Sequence, residues 1–291
     1  MASSLRRILV ALLVLDLCGA PNALSQSRGT VGKEVSVDVV VHSPITLTPT
    51  ERQQLRAKIR KVCSSPCNRV GWDQAEEIVR ELYQDKGFFK ADVVTVRTPT
   101  IKKNVLVLRV SPGKRYYLVR ISWRGNTVFS ESELANLIPF RSGELFNRAK
   151  IAGGLDAARR LYDSRGFINY VCVPTPEIND EASTIGLEMD VDEGKLFRFG
   201  ELHVEGMEEA HREILLSAWE GLRGRPYNVD GADRFFNRFF RSPWPNISPE
   251  NYTMFKIDEA NHSVNYYLRF IPWLRYQVKG SRLEPVETLN P

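Results

Sequence analysis

The sequence predicts an α+β protein made of three tandem units, each a small three-stranded sheet covered by two helices. The first observation is that landmark residues recur at a nearly constant offset of 79 to 81 positions. The landmarks are Gly125-Asn126 with Gly206-Met207, Glu193-Gly194 with Pro112-Gly113, and Leu161-Tyr162 with Leu82-Tyr83. A fixed offset of this size indicates a repeated supersecondary unit. The second observation is that hydrophobic periodicity changes in a fixed order within the unit.

The middle unit gives the order of elements most clearly. Its first strand is predicted by apolar side chains at every second position, which is typical of a strand with one buried face. These side chains are Tyr117, Val119, Ile121 and Trp123. Ser130 and Asn147 are placed to cap a short and a longer helix, and residues 169–173 and 185–191 are β-rich. The predicted order is therefore β-α-α-β-β.

The same order predicts repeat 1 at residues 34–113, repeat 2 at 114–194, repeat 3 at 195–272 and a C-terminal tail at 273–291. In repeat 1, Asp73 is predicted to cap the second helix, with Glu76 at the capping-box position. In repeat 3, Phe197 and Phe199 lie on the opposite strand phase from Leu202 and Val204, which predicts a β-bulge near Gly200.

Other landmark residues are interpreted as structural. Trp123, Leu161, Tyr162 and Phe167 follow the buried phase and are predicted to lie in the core. Four glycines are predicted to supply the backbone angles of turns and helix ends. They are Gly125, Gly166, Gly194 and Gly206.

These motifs resemble a POTRA domain, the repeated module of BamA-like and TamA-like outer-membrane assembly proteins. The resemblance rests on the Gly-Asn turn after the first strand, the Leu-Tyr-x-x-x-Gly-Phe helix end at residues 161–167 and the Glu-Gly exit from the last strand. Repeat 1 departs from the pattern because no clear Gly-Asn follows its first strand. The resemblance implies a non-catalytic, periplasmic role in outer-membrane protein assembly or transport. No barrel is expected within this chain, because only about twenty residues follow Phe270.

Composition and the amino terminus indicate an exported globular protein. The chain is 43% hydrophobic and 26% charged, with a net charge of +5, and no dense run of Lys or Arg favours a nucleic-acid partner. Residues 1–25 combine Arg6-Arg7, an apolar run and a small-residue end, as a secretory signal does. A permanent anchor and lipidation of Cys18 remain alternatives. With the resemblance, the expected location is the periplasm, peripheral to the outer membrane.

The cysteines and histidines give little support for a catalytic site or a metal site. Cys63 and Cys67 are spaced for a local disulfide in an oxidising compartment, whereas a metal site would need further ligands near them. Cys172 is interpreted as a buried apolar residue. The acidic group at residues 190–193 is interpreted as a solvated turn. No catalytic set, phosphate loop or cofactor motif is found, so the sequence predicts no enzyme and no cofactor.

The functional prediction concerns the edges of the sheets. An unpaired edge strand can take up an extended peptide through main-chain hydrogen bonds, and the resemblance implies that the second strand of each unit is an edge. Pro174 and Pro176 remove donors in repeat 2, so the edges predicted to bind protein lie in repeats 1 and 3. Their residues are Asp92, Val93, Val94, Thr95, Val96 and Arg97, and Tyr252, Thr253, Met254, Phe255, Lys256 and Ile257. Alternatively, Val93, Val94, Val96, Met254 and Phe255 simply pack inward or against the neighbouring repeat.

The predicted partners are an outer-membrane barrel protein or unfolded outer-membrane clients, bound by β-augmentation. The alternative function is a structural adaptor in the cell envelope that holds only folded partners at a fixed spacing.

Overall fold

The predicted order of elements occurs in repeats 1 and 3, and repeat 2 follows it with one additional short strand. The computed structural model describes residues 38–63, 68–96, 105–207, 209–239, 253–269, 275–279 and 282–286. Repeat 1 contains β1 (Asp38–His42), α1 (Pro49–Val62), α2 (Arg69–Gln84), β2 (Asp92–Val96) and β3 (Val105–Ser111). Repeat 2 contains β4 (Tyr117–Arg124), α3 (Glu131–Ala135), β5 (Glu144–Leu145), α4 (Arg148–Asp163), β6 (Val171–Asn179) and β7 (Thr184–Asp192). Repeat 3 contains β8 (Arg198–Glu205), α5 (Glu209–Trp219), α6 (Val229–Phe239), β9 (Thr253–Asp258) and β10 (Ser263–Arg269). The predicted α+β class is confirmed.

In each repeat, the strand that follows the second helix lies at a sheet edge. These strands are β2, β6 and β9. The sheets of repeats 1 and 3 have the orders β1-β3-β2 and β8-β10-β9, with the last strand in the centre. That central strand is parallel to the first strand and antiparallel to the second. The sheet of repeat 2 has the order β5-β4-β7-β6, which makes β6 an edge as well.

The short strand β5 was not predicted, and the predicted phase of β4 is wrong at the start of the strand. Strand β5 pairs antiparallel with Tyr117 and Leu118. Leu118 is only 1% exposed, whereas Tyr117 and Val119 are 43% and 38% exposed, so the predicted buried phase fails at the start of the strand and holds at Trp123. The pairing continues at Gly143, whose amide donates to the carbonyl of Leu118 at 2.8 Å. Buried Leu118 and Trp123 are five positions apart, so the alternation of β4 is interrupted by one residue between them.

The predicted bulge in repeat 3 is confirmed. The pairing of β8 with β10 shifts between Val264, opposite Phe199, and Tyr266, opposite Leu202. The side chain of Asn265 fills the irregular position and accepts the amide of Glu201 at 2.8 Å. Because the bulge changes the phase of the strand, Phe197, Phe199 and Leu202 are all buried.

Local capping explains most helix starts. Thr48 and Ser130 form capping boxes with Glu51 and Glu133, and Asn147 and Asn228 accept the amides of Lys150 and Gly231. The prediction for α2 is wrong. That helix begins four residues before Asp73, because Asn68 accepts the amide of Gly71 at 2.9 Å and caps it.

The described residues divide into two compact units, and the division passes through repeat 2. The first unit holds the described residues up to Ser122 with Phe140–Ala152 and Val173–Glu188, and the second holds Trp123–Pro139, Gly153–Cys172 and the described residues from Met189 onward. Each unit has a buried cluster. One forms around Tyr83 and Leu108 in repeat 1, the other around Trp219 and Phe236 in repeat 3. Of the predicted core residues in repeat 2, Trp123 and Tyr162 are buried, while Leu161 and Phe167 are half-buried.

The same two hydrogen bonds join successive repeats. The amide of Tyr116 donates to the carbonyl of Gly87 at 2.8 Å, and the amide of Phe146 donates to the carbonyl of Tyr116 at 2.9 Å. These three residues lie in the first unit. In the second unit the bonds recur, at 2.8 and 2.9 Å, between Phe197, Gly166 and Tyr227. The recurring glycine and aromatic residues are therefore junction residues.

The predicted C-terminal tail contains an antiparallel pair, β11 (Arg275–Lys279) and β12 (Arg282–Val286). Among the described residues, no helix combines the length and apolar character that crossing a membrane requires. The predicted signal segment at 1–25 lies outside the described residues, as do Cys67, Arg97 and Tyr252.

Candidate protein-binding edges

The edge strand β2 has one buried and one exposed side. Val93 is 1% exposed and packs in the core of repeat 1, as the inward-packing alternative states, whereas Val94 is 44% exposed. Among the described strands, β2 pairs only with β3, with Thr95 opposite Leu108. Its other side carries the backbone groups that a bound peptide would use.

A side chain from helix α2 already occupies part of that free side. The backbone amide of Thr95 donates to Oε1 of Glu76 at 2.7 Å. In an antiparallel pair, alternate residues direct their N–H and C=O groups away from the partner strand, so the Thr95 amide is one of the outward donors of β2. The sequence predicts a capping role for Glu76, and no local signal relates residues 76 and 95.

The edge strand β9 is open and apolar. Met254 and Phe255 are 53% and 57% exposed, and Ile257 is also exposed. Since successive residues of a strand point to opposite faces, both faces of β9 present apolar side chains to solvent. Within the described parts of the chain, no side chain hydrogen-bonds the backbone of residues 254–257. Of the residues that the inward-packing alternative names, Met254 and Phe255 are more than half exposed, although the ring centroid of Phe255 lies 6.1 Å from that of buried Tyr266.

In repeat 2 the corresponding edge strand is β6, which contains Pro174 and Pro176. Neither proline has an N–H to donate, so β6 offers fewer bonds to a peptide than β9 does. Val171 and Val173 are nevertheless exposed on it. Strand β6 therefore serves as a natural comparison for β9.

The acidic turn after β7 has a structural role that the sequence did not indicate. Glu193 accepts hydrogen bonds from the amides of Thr127 and Val128, from the hydroxyl of Thr127 and from the hydroxyl of Tyr162. Burial by itself would raise the pKa of Glu193, but these hydrogen bonds, that of the Thr127 side chain foremost, hold it below its usual value. Glu193 ties two loops of repeat 2 together and is more than part of a solvated turn.

Two of the cysteines, Cys63 and Cys172, lie in the described part of the chain. Cys63 is buried and disulfide-bonded, but its predicted partner Cys67 lies outside the described residues, so the pairing stays a prediction. Cys172 is a free, half-buried thiol whose pKa is raised to about 11, chiefly by burial. The part of the chain described by the structure contains no group of three or more His, Cys, Asp or Glu side chains arranged to hold a metal ion.

Comparison with known proteins identifies the class. Residues 116–194 match the POTRA family model, described as surface antigen variable number repeat. The crystal structure of Haemophilus influenzae BamA POTRA3-5 superposes with a TM-score of 0.53 at 16% identity, and the match covers 81% of this chain and 95% of that one. Repeat 2 is thus a POTRA domain, and the resemblance to POTRA repeats that the sequence predicts is confirmed.

Two curated proteins match part of this chain. Both are named outer membrane protein assembly factor BamA. The protein of Buchnera aphidicola is 24% identical over 156 residues, covering 53% of this chain and 25% of the relative. The protein of Neisseria meningitidis serogroup B is 21% identical over 175 residues, covering 59% of this chain and 22% of the relative. The chain spans about a quarter of the length of these relatives.

Proposed function

We propose that the chain is a periplasmic, non-catalytic scaffold in outer-membrane protein assembly, which binds extended segments of outer-membrane proteins or their unfolded precursors. The POTRA fold and the two relatives named as assembly factors support the scaffold role. The predicted signal at residues 1–25 supports export, and the partners would hold the protein at the outer membrane. No nucleic acid or cofactor takes part in this function.

The observation that carries peptide binding is the open edge of β9. Among the described strands, its backbone pairs only with β10, and Met254, Phe255 and Ile257 are exposed along it. An added strand would gain main-chain hydrogen bonds and cover these side chains, whose burial is worth roughly 25 cal/mol per Å² of apolar surface. Main-chain recognition suits a protein that receives many different unfolded sequences.

The test is an NMR titration of the labelled protein with a soluble ten-residue peptide of alternating apolar and polar residues. We expect chemical-shift changes at the amides of residues 254–257 and weaker binding by Phe255→Ser. Val173→Ser is the matched control, because it removes an exposed apolar side chain from the proline-containing edge β6. Equal effects of the two substitutions, or no shift in β9, would reject this mode of binding.

The adaptor function remains the second candidate, and the junctions between repeats favour it. The recurring bonds of Gly87 with Tyr116 and of Gly166 with Phe197 are those that a spacer of fixed geometry needs. In the same titration, shifts caused only by a folded envelope protein, with β2 and β9 silent, would support the adaptor.

A further inference from the structure

We propose that Glu76 is a latch on the edge of β2, and that this edge accepts extended segments that bring a Lys or Arg side chain to the displaced carboxylate. This inference rests on the proposed function, because it concerns how one of the two predicted edges is regulated. The two edges therefore differ. The backbone of β9 is available to a peptide at once, whereas the backbone of β2 becomes fully available only when the Glu76 side chain moves away from Thr95.

The latch follows from the hydrogen bond between Thr95 and Glu76. The Thr95 amide points away from β3 and is held by Oε1 of Glu76 at 2.7 Å. Within the described part of β2, only Val93 shares the outward direction of the Thr95 amide, so the latch covers one of two outward donors. A peptide strand can pair fully with β2 only if its own carbonyl replaces the carboxylate at Thr95.

The charge around Glu76 sets the chemistry of the segment. The neighbouring Glu77 is paired with Arg80, whereas Glu76 has no cationic partner among the described residues. Asp92 adds an exposed carboxylate at the start of the same strand. Once displaced, the Glu76 carboxylate lies beside the incoming strand, where a cation would pair with it and an acidic side chain would be repelled.

The test compares binding of two synthetic peptides, identical except for a central Lys or Glu, to the full-length protein and its variants. Glu76→Ala removes the latch, and Glu76→Gln keeps an acceptor for Thr95 but removes the charge. Asp73→Ala is the matched control, since this exposed carboxylate lies one turn earlier on α2 and makes no side-chain hydrogen bond within the described residues. Amide shifts distinguish binding at β2 from binding at β9, and hydrogen exchange of the Thr95 amide reports the latch without any peptide.

We expect Glu76→Ala to speed exchange of the Thr95 amide and to tighten peptide binding at β2 about tenfold, as loss of a competing charged hydrogen bond predicts. We expect wild-type β2 to prefer the Lys peptide about threefold, a preference that Glu76→Gln abolishes. Unchanged affinity at β2 in Glu76→Ala would overturn the latch, even if Thr95 exchange rises. If that outcome is accompanied by normal binding at β9, the proposed function stands; if neither edge binds either peptide, the proposed function fails as well.

Discussion

At the scale of single residues, Gly166 shows how the repeat motif is tied to a junction. Its φ of +91° is a left-handed conformation that side chains rarely adopt, and a Cβ there would lie 2.6 Å from the carbonyl oxygen of Phe197. The same carbonyl accepts the amide of Tyr227. Helix end, junction and next repeat therefore meet at a position where only glycine fits without strain.

We predict that Gly166→Ala lowers the free energy of unfolding by at least about 2 kcal/mol, from backbone strain and contact with Phe197. Gly153→Ala is the control, because this glycine lies in helix α4 with nothing within 4 Å of an added Cβ. It should raise stability by up to about 1 kcal/mol through helix propensity. Urea unfolding measures both, and effects of equal sign would contradict the assignment.

The ionisation of Glu193 should affect the stability of repeat 2. Its folded pKa lies below the ordinary value of 4.5. A lowered folded pKa contributes stability that is present above the ordinary value and is lost as pH falls through the folded value. The stabilisation comes from donors at Thr127, Val128 and Tyr162, which favour the carboxylate form.

We therefore predict that Glu193→Gln costs about 1–2 kcal/mol at pH 7, and that this difference from wild type shrinks as pH falls below 4.5. Urea unfolding at several pH values measures the difference. Asp192→Asn, at the exposed neighbouring residue, controls for a general change in charge. A difference that stays constant down to pH 3 would show that ionisation of Glu193 is not involved.

At the scale of elements, the bulge of β8 is held by a side chain from β10. Asn265 fills the space beside Gly200 and accepts the amide of Glu201. The carbonyl of Gly200 in turn accepts the indole N–H of Trp219 at 2.9 Å, which joins the bulge to helix α5. Because of this one irregular residue, Phe199 before the bulge and Leu202 after it both point into the core.

We predict that Gly200→Ala lowers stability by about 1–2 kcal/mol, because its Cβ would displace Asn265 from Glu201. Asn265→Ala should cost about 1 kcal/mol by itself. The double variant should lose about 0.5–1.5 kcal/mol less than the sum of the two single losses, because the Asn265 side chain that obstructs the new Cβ is already absent. Strictly additive unfolding free energies would contradict this account of the bulge.

At the scale of the whole molecule, the junctions couple the stability of successive repeats. Asp85, which ends helix α2, accepts the amide of Ala149 in the first turn of α4 at 2.7 Å. Arg148 pairs with Glu81 at 2.6 Å, and Lys90 pairs with Asp180 at 2.6 Å. In tandem repeats such contacts supply the nearest-neighbour energy that makes unfolding cooperative.

We predict that Asp85→Ala costs about 1 kcal/mol, the usual effect of losing a helix cap, although the cap lies in another repeat. Hydrogen exchange should become faster at the start of α4. Asp156→Ala is the control, because this exposed carboxylate lies on the same helix and makes no hydrogen bond within the described residues. Equal exchange in the two variants would mean that Asp85 does not couple the repeats.

The sequence by itself determined the repeat, the order of elements and most turns and caps. These features depend on residues close together in the chain, as with Ser130 and Glu133 in a capping box or the alternation that gave the bulge at Gly200. The physical reason is that strand periodicity, capping and glycine backbone angles are local properties.

Only the tertiary structure decided which residues control the edges and junctions. Strand β5, the latch of Glu76 on Thr95 and the contacts of Glu193 join residues from 19 to 66 positions apart. The exposure of Phe255 on the edge strand β9 likewise depends on which surfaces the folded chain leaves uncovered. Hydrogen bonds between distant segments need a specific approach of two elements, and no local pattern encodes that approach.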